Sequence, residues 1–155
     1  MQTTLNKIQA CDPCPDGWAK LLKYLGKTEA DDEPLAIATI IDSNNLSDAL
    51  WALRAVEGYD REIRLYAVWC ARQAQHLMTD QRSIAALDVA ERYAHGNATD
   101  EELAAAWGAA WDAAWAAAGA AAGAAARDAQ ETELRRVCAE IDAGNDPYPA
   151  LQEGE

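Results

Sequence analysis

The sequence predicts an all-α fold, a single-domain helical bundle of about six to seven helices around a long C-terminal helix rich in alanine and tryptophan. Three observations predict it. Alanine, the strongest helix former, dominates an apolar set that contains no Phe and six Trp. Capping residues and glycine stops recur at helix-length intervals. Between them, apolar residues fall at i, i+3, i+4 and i+7. Alanine buries little surface, so Trp, Tyr, Leu and Ile must supply the large anchors. A chain of 155 residues can bury such a core without disulfides or a structural metal.

Taken in order, the elements divide into an N-terminal segment and linker (1–33), helical hairpins (34–98), a long helix (99–144) and a tail (145–155). A short helical segment over Thr4–Ala10 leads into Cys11-Asp-Pro-Cys-Pro-Asp-Gly17, a turn on account of its two prolines. Asp16 is the expected cap of a helix to Leu25, with Trp18, Leu21, Leu22 and Leu25 on one face and Gly26 as its stop. After the acidic linker 27–33, Pro34 suits the first turn of a helix to about Asp42. Asn44 and Asn45 read as a turn, Ser47 as the cap of a helix carrying Leu50, Trp51, Leu53 and Val56, and Gly58 as its end. Asp60 opens a helix expected to reach Met78, with Ile63, Tyr66, Cys70, Ala74 and Leu77 as its stripe. Asp80 or Ser83 caps the next, which turns Ala86, Leu87, Ala90 and Tyr93 or Ala94 inward and stops at Gly96.

Thr99-Asp-Glu-Glu102 is a capping box, with acidic residues placed to complement the helix dipole. Beyond it the chain repeats in fours, placing Trp107, Trp111, Trp115, Gly119 and Gly123 at equal steps. Each step of four residues advances about 40° around a helix of 3.6 residues per turn. The three Trp can therefore anchor one region of the core, while Gly119 and Gly123 face elsewhere and mark the place for a bend or a close helix approach. Leu134, Val137, Cys138 and Ile141 then restore amphipathic spacing up to Gly144. A membrane span through the alanine tract is disfavoured, because Ala and Gly are weakly hydrophobic and Asp112 is costly in a bilayer.

The formal charge is −13, and it is uneven: residues 1–78 carry eight basic and eleven acidic groups, residues 79–155 five and fifteen. Such a field repels phosphate, so direct binding of nucleic acid or an anionic membrane is not expected; the charge serves solubility or a basic protein partner. Asp100, Glu101, Asp112, Asp128, Glu131 and Glu133 are the expected partner-facing carboxylates. Residues 1–14 show no basic segment followed by an apolar run, so no secretory signal is expected, and the cytoplasm is the expected compartment, where the four cysteines stay reduced.

Residues able to carry chemistry are few. Cys11-x-x-Cys14 has the spacing of a redox pair or of half a zinc site, but no second ligand pair accompanies it. His76 and His95 lack a neighbouring nucleophile or ligand, and no phosphate loop is present. Neither catalytic residues nor a cofactor are therefore expected. Arg72, Asp80, Arg82, Asp88 and Glu91 gather opposite charges near one helix junction, where bidentate Arg–carboxylate bonds would lock a hairpin.

Leu50-Trp-Ala-Leu-Arg-Ala-Val56, Trp69-Cys-Ala-Arg72, His76-Leu-Met-Thr-Asp-Gln-Arg-Ser83 and the Ala-Trp tetrads together resemble a family of small α-helical immunity proteins of bacterial polymorphic toxin systems, with relatives in phage and mobile elements. The resemblance covers roughly residues 35–147. It implies a stoichiometric binder that neutralises a protein partner by covering its active surface, without a reaction of its own. Two readings stand beside it: an anti-CRISPR-like anti-defence protein whose carboxylates mimic nucleic acid, and a redox or zinc protein using Cys11 and Cys14. A homo-oligomer formed through the Trp or Gly stripe is a further expectation.

Overall fold

A computed structural model describes residues 1–78, 80–106 and 124–149, and among them the regular secondary structure is helical apart from two very short strands. The contacts divide the chain into two compact units, Met1–Tyr59 with Leu134–Asn145, and Asp60–Glu133 with Asp146–Glu155. No helix among the described residues is long and apolar enough to cross a membrane.

The first unit opens with strand β1 (Gln2–Thr3), helix α1 (Leu5–Ala10) and helix α2 (Pro15–Leu25). Strand β2 (Leu35–Ala36), helix α3 (Ile37–Ser43) and helix α4 (Leu46–Ala52) follow, and a 3-10 turn at Leu53–Ala55 extends α4. The strands pair antiparallel, Gln2 opposite Ala36 and Thr3 opposite Leu35. This pairing corrects the helix expected from Pro34. Leu35 and Ala36 stay extended because their partner is a segment more than thirty residues earlier, and Ile37 donates its N–H to the Met1 carbonyl before the helix begins. The same ladder seats Thr3 inside, where its hydroxyl donates to the Ala55 carbonyl.

Two caps also shift. Helix α2 is entered through extended Cys14 with Pro15 at its first position, so Asp16 lies inside the first turn, where it complements the dipole but does not cap. Helix α4 is capped by Asn45, whose side-chain oxygen accepts the Asp48 N–H at 2.9 Å, and Ser47 is simply an exposed residue of the first turn. Leu46 decides this start, because it is buried and must already belong to the helix. Ile37, Ile40 and Ile41 of α3 and Ala49 of α4 fill the core of this unit with Leu5, Ile8 and Leu21.

The second unit contains helix α5 (Asp60–Gln73), a 3-10 turn at Gln75–Leu77 and helix α6 (Gln81–Ala94). Helix α7 covers 100–106 among the described residues. Helix α8 (Ala124–Asp142) starts in the second unit and ends in the first. Helix α5 stops at Gln73 rather than Met78. The chain there tightens into the 3-10 turn, whose Gln75 side chain accepts from Arg72 at 2.9 Å. Of the expected stripe, Tyr66 and Ala74 are buried, Ile63 and Cys70 half-buried, and the side chain of Leu77 lies outside what the structure describes. Leu65, Val68 and Ala71 widen the buried arc.

Helix α6 is capped by Asp80, which accepts the Arg82 N–H at 2.9 Å, while Ser83 is buried one turn in. The charged junction resolves into two separate parts. Arg72 reaches from α5 to Asp88 (2.6 Å) and Glu91 (2.8 Å) of α6, whereas Arg82 turns back onto its own cap residue Asp80 (2.7 Å). The Arg72 pairs span the hairpin. Arg72 retains 28% of its side-chain exposure and its partners more, so screening limits the gain to about 1 kcal/mol. Arg72→Met should lower the melting temperature by about 3 °C, against no more than about 1 °C for Arg82→Ala, in thermal circular dichroism.

Helix α7 starts as its sequence requires. The Glu102 N–H donates to the Thr99 hydroxyl (3.2 Å) and the Thr99 N–H to the Glu102 carboxylate (2.8 Å), both arms of the box. Trp107, Trp111, Asp112, Trp115, Gly119 and Gly123 lie outside the described residues, as does the continuity of the helix through them. Leu134, Val137 and Cys138 of α8 are buried and Ile141 half-buried. The helix ends before Gly144, whose φ of +78° only glycine adopts without strain.

Candidate functional site

Within the first unit, α1, α2, α3 and α4 surround a cavity of about 290 Å³. Its wall is mostly apolar: Ile8, Leu21, Ile40 and Ala52, with the half-buried indoles of Trp18 and Trp51. Pro13 and Cys14 close one side, and Asn44, Ser47 and Asp48 supply a polar edge.

The edge is built by close packing at Gly17. A Cβ there would lie 3.0 Å from both the Asp48 Oδ2 and the Cys14 Sγ, so a side chain at this position would press on both. The missing side chain lets Asn44 reach the Gly17 carbonyl (2.9 Å) and the Asp48 carboxylate (2.7 Å) with one amide nitrogen. The Asn44 side-chain oxygen accepts from Ser43 (2.9 Å), and its backbone carbonyl accepts the Lys20 ammonium (2.9 Å). Asn44 thus joins α2, α3 and α4, and it aims Asp48 along the cavity edge. No Lys or Arg among the described residues forms an ion pair with Asp48. Arg54 lies 4.5 Å from the centroid of the Trp51 ring and donates to the Trp51 carbonyl.

The cavity was not legible in the sequence. Trp18 read as part of a core face and Gly17 as part of a turn, and nothing local joins Gly17 to Asn44. Gly17 beside Trp18 is the nearest thing to a signal.

The expected partner-facing carboxylates divide. Asp100 and Glu101 are exposed in the first turn of α7, Asp100 accepting the Tyr93 hydroxyl at 2.7 Å. Asp128 is exposed on α8, and Glu131 is half-buried. Glu133 does not belong with them: it is only 9% exposed and accepts the Tyr148 hydroxyl at 2.8 Å. Helical rotation turns it inward, and the tail supplies its partner. Asp112 lies outside the described residues.

The tail is fastened by Arg61 of α5, whose fork bonds both oxygens of Asp146 (2.9 and 3.0 Å) and the Tyr148 carbonyl (2.6 Å). This fork holds the Asp146 carboxyl below its ordinary range. A carboxyl whose folded pKa is depressed stabilises the fold above its unfolded value, and that contribution is lost as the pH falls below about 4. Asp146→Asn should therefore lower the melting temperature by about 2 °C at pH 7, the difference shrinking as the pH falls below about 4.

Cys11 is half-buried and Cys14 exposed, both as free thiols. Burial pushes the thiols of Cys70 and Cys138 upward, away from the thiolate a nucleophile needs. Among the described residues, no three His, Cys, Asp or Glu side chains gather as a group able to hold a metal. His95 follows α6 as its C-cap, and His76 is exposed in the 3-10 turn.

Comparison with protein-family models, with curated proteins and with solved structures finds no match to this chain.

Proposed function

We propose that this protein is a non-catalytic inhibitory binder of the immunity type, which acts in the cytoplasm by stoichiometric binding to a basic protein partner such as a nuclease or toxin. The observation that carries this reading is the charge asymmetry, fifteen acidic against five basic groups over residues 79–155. The exposure of Asp100, Glu101 and Asp128 supports it, since these carboxylates can meet a partner's phosphate-binding cations. The motif resemblance supports the same reading.

The test is capture on the tagged full chain at low and high salt, followed by assay of the captured protein's own activity. A basic partner retained best at low salt and silenced at one-to-one stoichiometry is the expected result. No partner under either condition, or a partner that stays active when saturated, defeats the reading.

A further inference from the structure

We propose that the cavity between α1, α2, α3 and α4 is a receptor for one guanidinium side chain, an arginine presented by the basic partner. The identity of that partner rests on the reading above, but the chemistry of the cavity is argued from its own walls.

Size sets the first limit. At about 290 Å³ the cavity lies at the lower end of small-ligand sites, which suits a single side chain rather than a larger ligand. The wall sets the second. Two indoles and an aliphatic lining favour a flat group on an apolar stem, and an indole face attracts a cation. Trp51 already does so within the chain, holding the Arg54 guanidinium 4.5 Å from its ring centroid. No such cation lies over Trp18 among the described residues.

The polar edge sets the third. Asn44 has spent its amide on Gly17, Asp48 and Ser43, which leaves Asp48 as the charged group at the edge. Its Oδ2 takes the Asn44 bond, and neither carboxylate oxygen is paired with a Lys or Arg among the described residues. A carboxylate beside apolar walls calls for a donor-rich cation, and the planar guanidinium matches both carboxylate and indole. Two cations border the site, Lys20 on the Asn44 carbonyl and Arg54 on Trp51, and neither pairs with Asp48.

The probe is a pair of blocked tripeptides, glycine-arginine-glycine and the same peptide with citrulline, which keeps the shape and removes the charge. Binding to the full chain is followed by calorimetry and by the indole N–H resonances of Trp18 and Trp51. The arginine peptide should bind at least about tenfold more tightly than citrulline and shift both indole signals. Asp48→Asn, which preserves shape and leaves the Asn45 cap on a backbone N–H, should erase that preference. Glu29→Gln, an exposed carboxylate between α2 and β2 that does not line the cavity, should leave it intact.

Equal binding of the two peptides overturns the proposal. So does a Glu29→Gln loss as large as that of Asp48→Asn, which would mean general attraction to an acidic chain. If the arginine peptide binds as described while no protein partner is captured, the inhibitory reading fails and the cavity chemistry stands. If a partner is captured with equal strength by the wild type and by Asp48→Asn, the partner does not use the cavity, and its proposed occupant is wrong.

Discussion

Replacing Leu134 by alanine is expected to lower the stability of the protein by about 3 kcal/mol, the largest effect of a single substitution argued for this chain. Leu134 is 1% exposed, and Val137 one turn on is fully buried. Both lie on the part of α8 that belongs to the first unit, separated from the rest of that unit by more than seventy residues of sequence. Removing the Leu134 side chain forfeits the transfer free energy of the buried carbons, and it leaves a cavity that a helix held at neighbouring positions cannot collapse. Ion pairs surround the site without replacing that burial. Arg135 bonds Asp42 of α3 at 2.6 Å with both side chains more than a third exposed, a pair that screening reduces to a few tenths of a kcal/mol. Chemical denaturation followed by circular dichroism should show the midpoint fall with an unchanged slope. Ala139→Gln, at an exposed position of the same helix, should change stability by less than about 0.5 kcal/mol. A loss under about 1 kcal/mol for Leu134→Ala would show that α8 does not anchor the first unit.

Reversing three exposed carboxylates, Asp100→Lys, Glu101→Lys and Asp128→Lys, should slow association with the proposed basic partner by about 10- to 100-fold at low ionic strength. Three reversals of two charges each take the formal charge from −13 to −7. The effect should shrink as salt rises, because long-range attraction between exposed charges is screened beyond about 10 Å at 0.1 M salt. Dissociation should change less than association, since these side chains are exposed and lose little water on docking. Two of the three lie in the first turn of α7, where lysine opposes the helix dipole at a cost of about 0.3–1 kcal/mol each, so folding of the triple variant is checked by its helix signal. Surface plasmon resonance across a salt series measures both rates. Glu133→Gln is the informative contrast: it removes a charge from the same half of the chain, but from beneath Tyr148, and should leave the association rate unchanged while weakening the fold. An association rate insensitive to the triple reversal would separate the partner from the acidic surface altogether.

Several helix ends were legible from partners within one turn, although the caps of α2 and α4 and the end of α5 were not. The Thr99–Glu102 box forms with both its arms, Asp80 caps α6, and Gly26, Gly96 and Gly144 take positive φ where stops were expected, whereas the helix expected to end at Gly58 stops at Ala52, with its 3-10 extension ending at Ala55 and Val56 extended. The inward residues Leu134, Val137 and Cys138 followed from helical spacing alone, because burial of one face is the main support of a helix in a folded chain. These features need no distant neighbours, so local residues suffice to specify them.

Tertiary structure decided the remainder. The ladder of Gln2–Thr3 with Leu35–Ala36 delays α3, and strand pairing across that separation has no local sign in two-residue strands. Asn45 rather than Ser47 caps α4 because Leu46 is buried. Glu133, counted with the surface on charge alone, is buried because Tyr148 returns from the tail to meet it. The cavity is the fullest case: Gly17 lies in α2, Asn44 caps the end of α3 and Asp48 lies in α4, and only their packing makes a carboxylate edge beside two indoles. Local rules act through backbone hydrogen bonds and side-chain spacing within a few residues, while a site needs groups brought together from far apart, which folding alone accomplishes.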